Sequence, residues 1–305
     1  MSSVGPDHRR VVLVTGANAG LGFELSLALA RAGAHVVMAC RSPTRAEDAC
    51  ARLLRRVPHA RLSTLPLDLS EPDSIAQLPH LLEQQVGQLD VLIHNAGVFG
   101  LPLSRNSAGQ EMHFATNYLG PFALTGMLLS LVHDAPGARV VCVGSLAHRL
   151  GKLRIEDPYA REGDYRPLAA YGRSKVALLS YTLELERRLR AHSSHIIAVG
   201  AHPGMAPTDI ARGHAVANPR SGLGKWLNRR MESLIPSVTE AAQPILHAAC
   251  APTVQGGEYY GPGGLLEIAG APARARVHRQ ALDPSLATQL WSASEHITGV
   301  RYLSR

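Results

Sequence analysis

Short apolar runs alternate along the chain with stretches whose apolar positions recur every three or four residues. Residues 11–15 make the first run, and a glycine-rich turn follows. Leu21, Leu25, Ala28, Leu29 and Ala32 then share one helical face. The alternation continues with strands predicted at 34–40, 61–67, 89–93, 138–143, 195–200 and 256–260. Helices are predicted at 43–57, where Pro43 suits a first turn, at 74–86, and as one long helix through Asn117 to about Val132. Further helices are predicted at 171–189, at 238–250 with Pro244 as a flaw in its middle, and at 285–296. Residues 208–231 are basic and helical in parts, while 261–276, rich in Gly, Pro and Ala, reads as an irregular loop. Strands that alternate with helices imply a parallel sheet with crossover helices. Right-handed crossovers place those helices on both faces. The expectation is therefore a single α/β domain over 1–305, doubly wound, with a seven-stranded parallel sheet and an irregular C-terminal extension at about 261–305.

Composition removes several function classes. Of 305 residues, 46% are apolar and 18% charged, which excludes a mainly disordered chain. No stretch approaches the ~20 consecutive apolar residues of a membrane span. The first ten residues are polar, with no apolar segment of a secretory signal, so a cytoplasmic location is expected. Cys40, Cys50, Cys142 and Cys250 are widely spaced and form neither a zinc pattern nor a disulfide framework. Net charge is +7 and the pI about 9.5. Nucleic-acid binding is one reading of that balance. However, aromatics are only 5%, none interleaves with a basic run, and no helix-turn-helix or zinc-finger pattern occurs. A site for an anionic small molecule is the favoured reading, with no nucleic-acid partner. Fifteen histidines include no His-x-x-x-His or His-x-x-Glu-His pattern, so no metal is expected. His113, His148 and His202 are read as structural histidines near the cleft.

Chemistry concentrates at the predicted carboxyl ends of strands, where ligands bind in doubly wound sheets. Gly16, Gly20 and Gly22 join the first strand to the first helix. Glycines there permit a tight turn and close approach to a pyrophosphate, and the helix N-terminus favours an anion. The second strand ends in Arg41 with no acidic residue, which suits a ribose 2′-phosphate rather than a free 2′-hydroxyl. Asn95-Ala96-Gly97, Ser145 and Pro203-Gly204 end later strands at the same edge. Tyr171 and Lys175, at i and i+4, share a helix face. A phenol titrates near 10, so exchanging a proton near neutrality needs about 4 kcal/mol of help. A positive charge at ~4 Å supplies about that much at an effective dielectric of about 20. Lys175 is thus expected to supply most of it.

These motifs carry a resemblance. The chain resembles the classical short-chain dehydrogenases/reductases, which have a Rossmann domain, over nearly its whole length. The matching pieces are residues 15–22, Leu67-Asp68-Leu69, His94-Asn95-Ala96-Gly97, Asn117, Ser145, Tyr171-x-x-x-Lys175, Pro203-Gly204 and Thr208. The resemblance implies Tyr171 as general acid/base, Lys175 on the nicotinamide ribose, Ser145 on the substrate carbonyl and Asn117 in a proton relay. It implies cofactor contacts from Gly16, Asn18, Ala19, Gly20, Leu21, Gly22 and Arg41. Asp68, Leu69, Asn95, Ala96, Gly97, Tyr171, Lys175, Pro203, Gly204 and Thr208 complete that set. His94 stands where the family usually has asparagine, and little disturbance is expected. Ala39-Cys40-Arg41, Ser145-Leu-Ala-His148, Ala201-His202 and Leu290-Trp291-Ser292 are similar to the retinol dehydrogenase-like branch.

The resulting expectation is an NADP(H)-dependent carbonyl reductase or alcohol dehydrogenase with a mainly lipophilic substrate. A catalytically silent NADP(H)-binding regulator of the same fold is the alternative. The family places a substrate lid at about 205–236, where Arg212, Arg220, Lys225, Arg229 and Arg230 make a basic surface. Val176, Leu178, Leu179, Tyr181, Leu183, Leu185 and Leu189 cover more than one face of the 171–189 helix. That pattern predicts a homodimer through a partner helix, or else cover by the C-terminal segment.

Overall fold

β-branched residues fill the apolar runs, and sheet burial on both faces makes such runs strands. The strands are β1 (Val11–Thr15), β2 (His35–Cys40), β3 (Arg61–Pro66), β4 (Val91–His94), β5 (Arg139–Val143), β6 (Ile197–Ala201) and β7 (Tyr259–Pro262). The computed structural model describes residues 10–155, 164–205 and 236–304. Its sheet has the order β3-β2-β1-β4-β5-β6-β7-β8, and β1 to β7 are parallel. The order reverses between β1 and β4, which opens the crevice that holds the site.

The eighth strand corrects the expected seven. β8 (Pro272–Arg274) pairs antiparallel with β7 inside the stretch read as an irregular loop. Three residues are too few to show a period of two. The pairing is closed by a turn in which Gly263 N–H donates to Ala271 O at 2.7 Å and Gly264 N–H to Ala269 O at 3.0 Å. Pro272 is tolerated because the strand lies at the sheet edge.

Helices α1 (Gly20–Arg31), α2 (Pro43–Arg56), α3 (Pro72–Val86), α4 (Met112–Phe114), α5 (Gly120–Leu128), α6 (Pro167–Ala191), α7 (Val238–Cys250) and α8 (Pro284–Thr298) flank the sheet. α1, α2 and α7 pack on one face, and α3, α5, α6 and α8 on the other. α7 continues through Pro244, helped by a capping box between Ser237 and Glu240. The long helix expected through Asn117 is instead broken. A π turn spans Ala115–Leu119 between α4 and α5. Pro121 has no N–H to give to the Asn117 carbonyl, so a regular α-helix cannot run through this point.

The second apolar face of α6 is covered by its own chain. Leu179 packs with Tyr259 and Ala281. Tyr181 stacks on Trp291 of α8 at 5.8 Å, and Tyr302 donates to Phe122 O at 3.1 Å and contacts the Tyr181 hydroxyl at 3.1 Å. The observation that suggested a partner helix is thus met by the C-terminal segment. No helix among the described residues is long and apolar enough to cross a membrane.

Candidate active site

The carboxyl ends of β1, β2, β4, β5 and β6 open on a cleft of about 980 Å³. Gly16, Asn18, Ala19, Gly20, Leu21, Gly22, Arg41, Asp68, Leu69, Asn95, Ala96 and Gly97 line it, as do Ser145, Tyr171, Lys175, Pro203 and Gly204. Thr208 and the basic residues of the expected lid lie outside the described residues.

Gly22 is required by close approach. A Cβ there would stand 2.2 Å from Gly16 O and 2.6 Å from Asn95 Nδ2. Gly16 turns the chain with φ +66°, a conformation that disfavours other residues. Thr15 Oγ1 accepts from the N–H groups of Asn95 and Ala96, both at 3.0 Å, and so ties β1 to the end of β4. No side chain caps the N-terminus of α1. Its first-turn N–H groups therefore face the cleft as donors for an anion. At the far end, Arg41 and Arg45 are exposed on the cleft rim. Asp68 is held by Ser70, whose N–H and hydroxyl donate to Oδ1 at 2.9 and 2.6 Å. These residues fit a nicotinamide dinucleotide.

At the other end, Ser145 leaves β5 and caps the turn that follows, accepting from Ala147 N–H at 3.2 Å. Tyr171, on the first turns of α6, lines the cleft beside Ser145. Burial pushes the Tyr171 phenol above its ordinary value, and the nearby Ser145 side chain offsets this only in part. Lys175, one turn on, donates from Nζ to Val143 O at 2.8 Å. Burial pulls its ammonium down to about 8, so it keeps its proton at neutral pH. The ammonium lies 5.8 Å from the Tyr171 ring centroid. That distance is to the ring centre, and burial rather than the ammonium sets the direction of the phenol's shift, so the help expected from Lys175 is not seen. The protein alone therefore holds Tyr171 as a protonated phenol.

Asn117 is buried behind Gly97. Its Nδ2 donates to Val98 O at 2.9 Å and Ser174 Oγ at 3.0 Å, while Oδ1 accepts from Val98 N–H at 2.8 Å. Its side chain fastens the loop after β4.

The sequence pattern of the short chain dehydrogenase family matches residues 10–217. The chain belongs to the short-chain dehydrogenase family. It is 34% identical to retinol dehydrogenase 14 of Mus musculus over 96% of this chain and 87% of that protein. It is 33% identical to polyprenol dehydrogenase of Homo sapiens over 97% and 87%. A crystal structure of an uncharacterized protein from Mycobacterium paratuberculosis superposes with a TM-score of 0.77 at 33% identity, covering 96% of this chain and 94% of that one. The Pseudomonas aeruginosa RhlG/NADP active-site complex gives 0.64 at 25% identity over 82% and 93%.

In this short-chain dehydrogenase the three histidines have defined partners. His202 accepts from Gly204 N–H at 3.1 Å on Nδ1 and meets Glu267 at 3.0 Å through Nε2, and burial keeps it below the usual imidazole range. His148 Nδ1 meets Ser145 O at 2.5 Å. His113 pairs with Glu111 at 2.9 Å. Sequence reasoning missed Arg45, whose only signal was its place four residues after Arg41. It also missed Glu111 and Tyr165, whose signal needed the fold. Among the described residues no group of three or more His, Cys, Asp or Glu could hold a metal.

Proposed function

We propose that the chain is an NADP(H)-dependent oxidoreductase that interconverts a carbonyl and an alcohol on a mainly lipophilic substrate. The observation that carries this reading is the meeting of Ser145, Tyr171 and Lys175 at one end of a cleft built around a glycine turn. When bound, the nicotinamide gives or takes a hydride at the substrate carbon. Tyr171 gives its proton to the substrate oxygen in reduction and takes it back in oxidation. Ser145 donates a hydrogen bond to that oxygen and fixes its distance from Tyr171. Lys175, charged at neutral pH, favours the phenolate that reduction leaves behind.

Two exposed cations, Arg41 and Arg45, and the absence of an acid at the β2 tip support a preference for the 2′-phosphate of NADP(H). Solved relatives with bound NADP or NADPH agree with it. Phe99, Leu146, Ala147 and Met205 make the nearby wall apolar, which supports a lipophilic carbonyl. The names of the similar retinol and polyprenol dehydrogenases point the same way. The test is a panel of aldehydes, ketones and alcohols with NADPH and NADP⁺, followed by absorbance of the reduced cofactor. Tyr171→Phe is expected to lower turnover at least ~100-fold while dinucleotide binding survives. Near-normal turnover in that variant would refute the assignment.

A further inference from the structure

Next to the proposed proton donor lies a buried polar network that the reading above leaves without a role. Glu111 and His113 are 1% and 0% exposed. The Glu111 carboxylate accepts from the N–H groups of His113 and Phe114, both at 2.9 Å. It also meets His113 Nδ1 and the Tyr165 hydroxyl, again at 2.9 Å each. Burial alone would raise its pKa, but these donors hold it below the usual carboxylate range. On the other side of the ring, Leu101 N–H donates to His113 Nε2 at 3.3 Å. That lone pair fixes the tautomer: His113 carries its proton on Nδ1, facing Glu111. None of the donors is a lysine or arginine.

What the network does is join three segments. Glu111 and His113 begin the turn that leads to Asn117. Tyr165 stands just before α6, six residues ahead of Tyr171. Leu101 lies in the loop after β4, and its carbonyl lies 3.4 Å from the Tyr165 hydroxyl. Three residues earlier in that loop, Val98 is gripped by Asn117. Phe99 is therefore held between two clamps, and it sets its edge against the Tyr171 ring at 4.8 Å and 88°. His113 flanks the same ring at 6.3 Å and 66°.

We propose that Glu111, His113 and Tyr165 are positioning residues that fix the Phe99 wall and the Tyr171 ring, and so set which carbonyl shapes the pocket accepts. The proposal rests on the reading of Tyr171 as proton donor. Loss of one clamp frees Phe99 on one side, which loosens the wall without touching the rim at Arg41.

Tyr165→Phe removes a single oxygen from a half-buried ring, so the fold is retained. Two readouts test it. The first is the ratio of kcat/KM for a straight-chain aldehyde, octanal, over a bulky one, cyclohexanecarbaldehyde, with NADPH. It is expected to move toward one by threefold or more, while the NADPH dissociation constant stays within twofold. A loss of folded protein would lower both substrates equally and leave the ratio where it was. The second needs no activity. Hydrogen exchange of the peptide covering 98–104, in cofactor-free protein, is expected to quicken at least fivefold. A ratio within twofold of wild type, or unchanged exchange, overturns the proposal. Tyr171→Phe, run alongside, separates the two ideas. If it is fully active the functional reading fails, and if it is inactive while Tyr165→Phe behaves as wild type only the positioning role fails. If wild type turns over neither aldehyde, the exchange readout alone decides.

Discussion

His94 ends β4 where the family usually has asparagine, and its surroundings make a measurable prediction. The ring is buried, and Nε2 meets Thr125 Oγ1 at 2.7 Å. Thr125 donates its own hydrogen to Pro121 O at 2.9 Å, so His94 is the donor of the pair and carries its proton on Nε2. Nδ1 has no hydrogen-bond partner among the described residues. Protonating it would bury both a charge and an orphan N–H, and burial accordingly holds the ring down to about 3. An unfolded histidine titrates near 6.5. Below that value the unfolded chain takes up a proton that the folded chain refuses, so stability falls as pH drops. At pH 5 the penalty from this one ring is about 2 kcal/mol, and it depends on the unfolded value alone as long as the folded one is well below 5.

His94→Asn removes that penalty. At pH 7 the variant loses the Thr125 bond and leaves a small void, a cost of about 1–2 kcal/mol. At pH 5 the comparison shifts in its favour by about 2 kcal/mol, so the variant matches or exceeds wild type. All other titrating groups, His202 included, cancel in the difference. Urea unfolding at 25 °C, at both pH values and constant ionic strength, reads it directly. A gap between the two proteins that is the same at both pH values, within about 0.5 kcal/mol, would refute the claim that the fold keeps His94 neutral.

Three further outcomes follow from the site and the fold. Arg41→Asp should reverse a tenfold to hundredfold preference for NADPH over NADH, of the order expected for one or two charged hydrogen bonds, read as the ratio of kcat/KM. Because Lys175 is held down to about 8, kcat/KM for reduction should fall as pH rises through about 8, and a profile flat from about pH 7 to about pH 9 would remove the ammonium from the mechanism. Trp291, 1% exposed, closes the second face of α6, so Trp291→Ala should cost about 3–5 kcal/mol in urea unfolding.

The parts of this fold that were legible in the sequence are those where one residue type answers one physical demand. Val11 to Thr15 must be a strand because nothing polar interrupts it, and Gly22 must be glycine because its neighbour's carbonyl leaves no room. The edge-lining site residues followed from chain order, since the carboxyl ends of parallel strands meet. Other features needed contacts between distant residues. β8 is three residues long and is created by the turn beside it. The break at Asn117 depends on Pro121 four residues later. Leu179, Leu183 and Leu185 announce a buried second face, but periodicity does not say whether the covering helix comes from the same chain. Glu111 and Tyr165 are 54 positions apart and carry no shared signal until the fold brings them together.

The same burial that makes Tyr171 and Lys175 accessible to so little water moves them in opposite senses. It raises the phenol and lowers the ammonium, because in each case the neutral form is the cheaper one to bury. Left to its own residues, the site thus stores a proton on Tyr171 beside the Ser145 hydroxyl, ready for a carbonyl oxygen. Oxidation of an alcohol needs that proton to leave, so under the proposed reaction the phenolate must gain stabilisation beyond what burial leaves it, since burial alone pushes the phenol the other way.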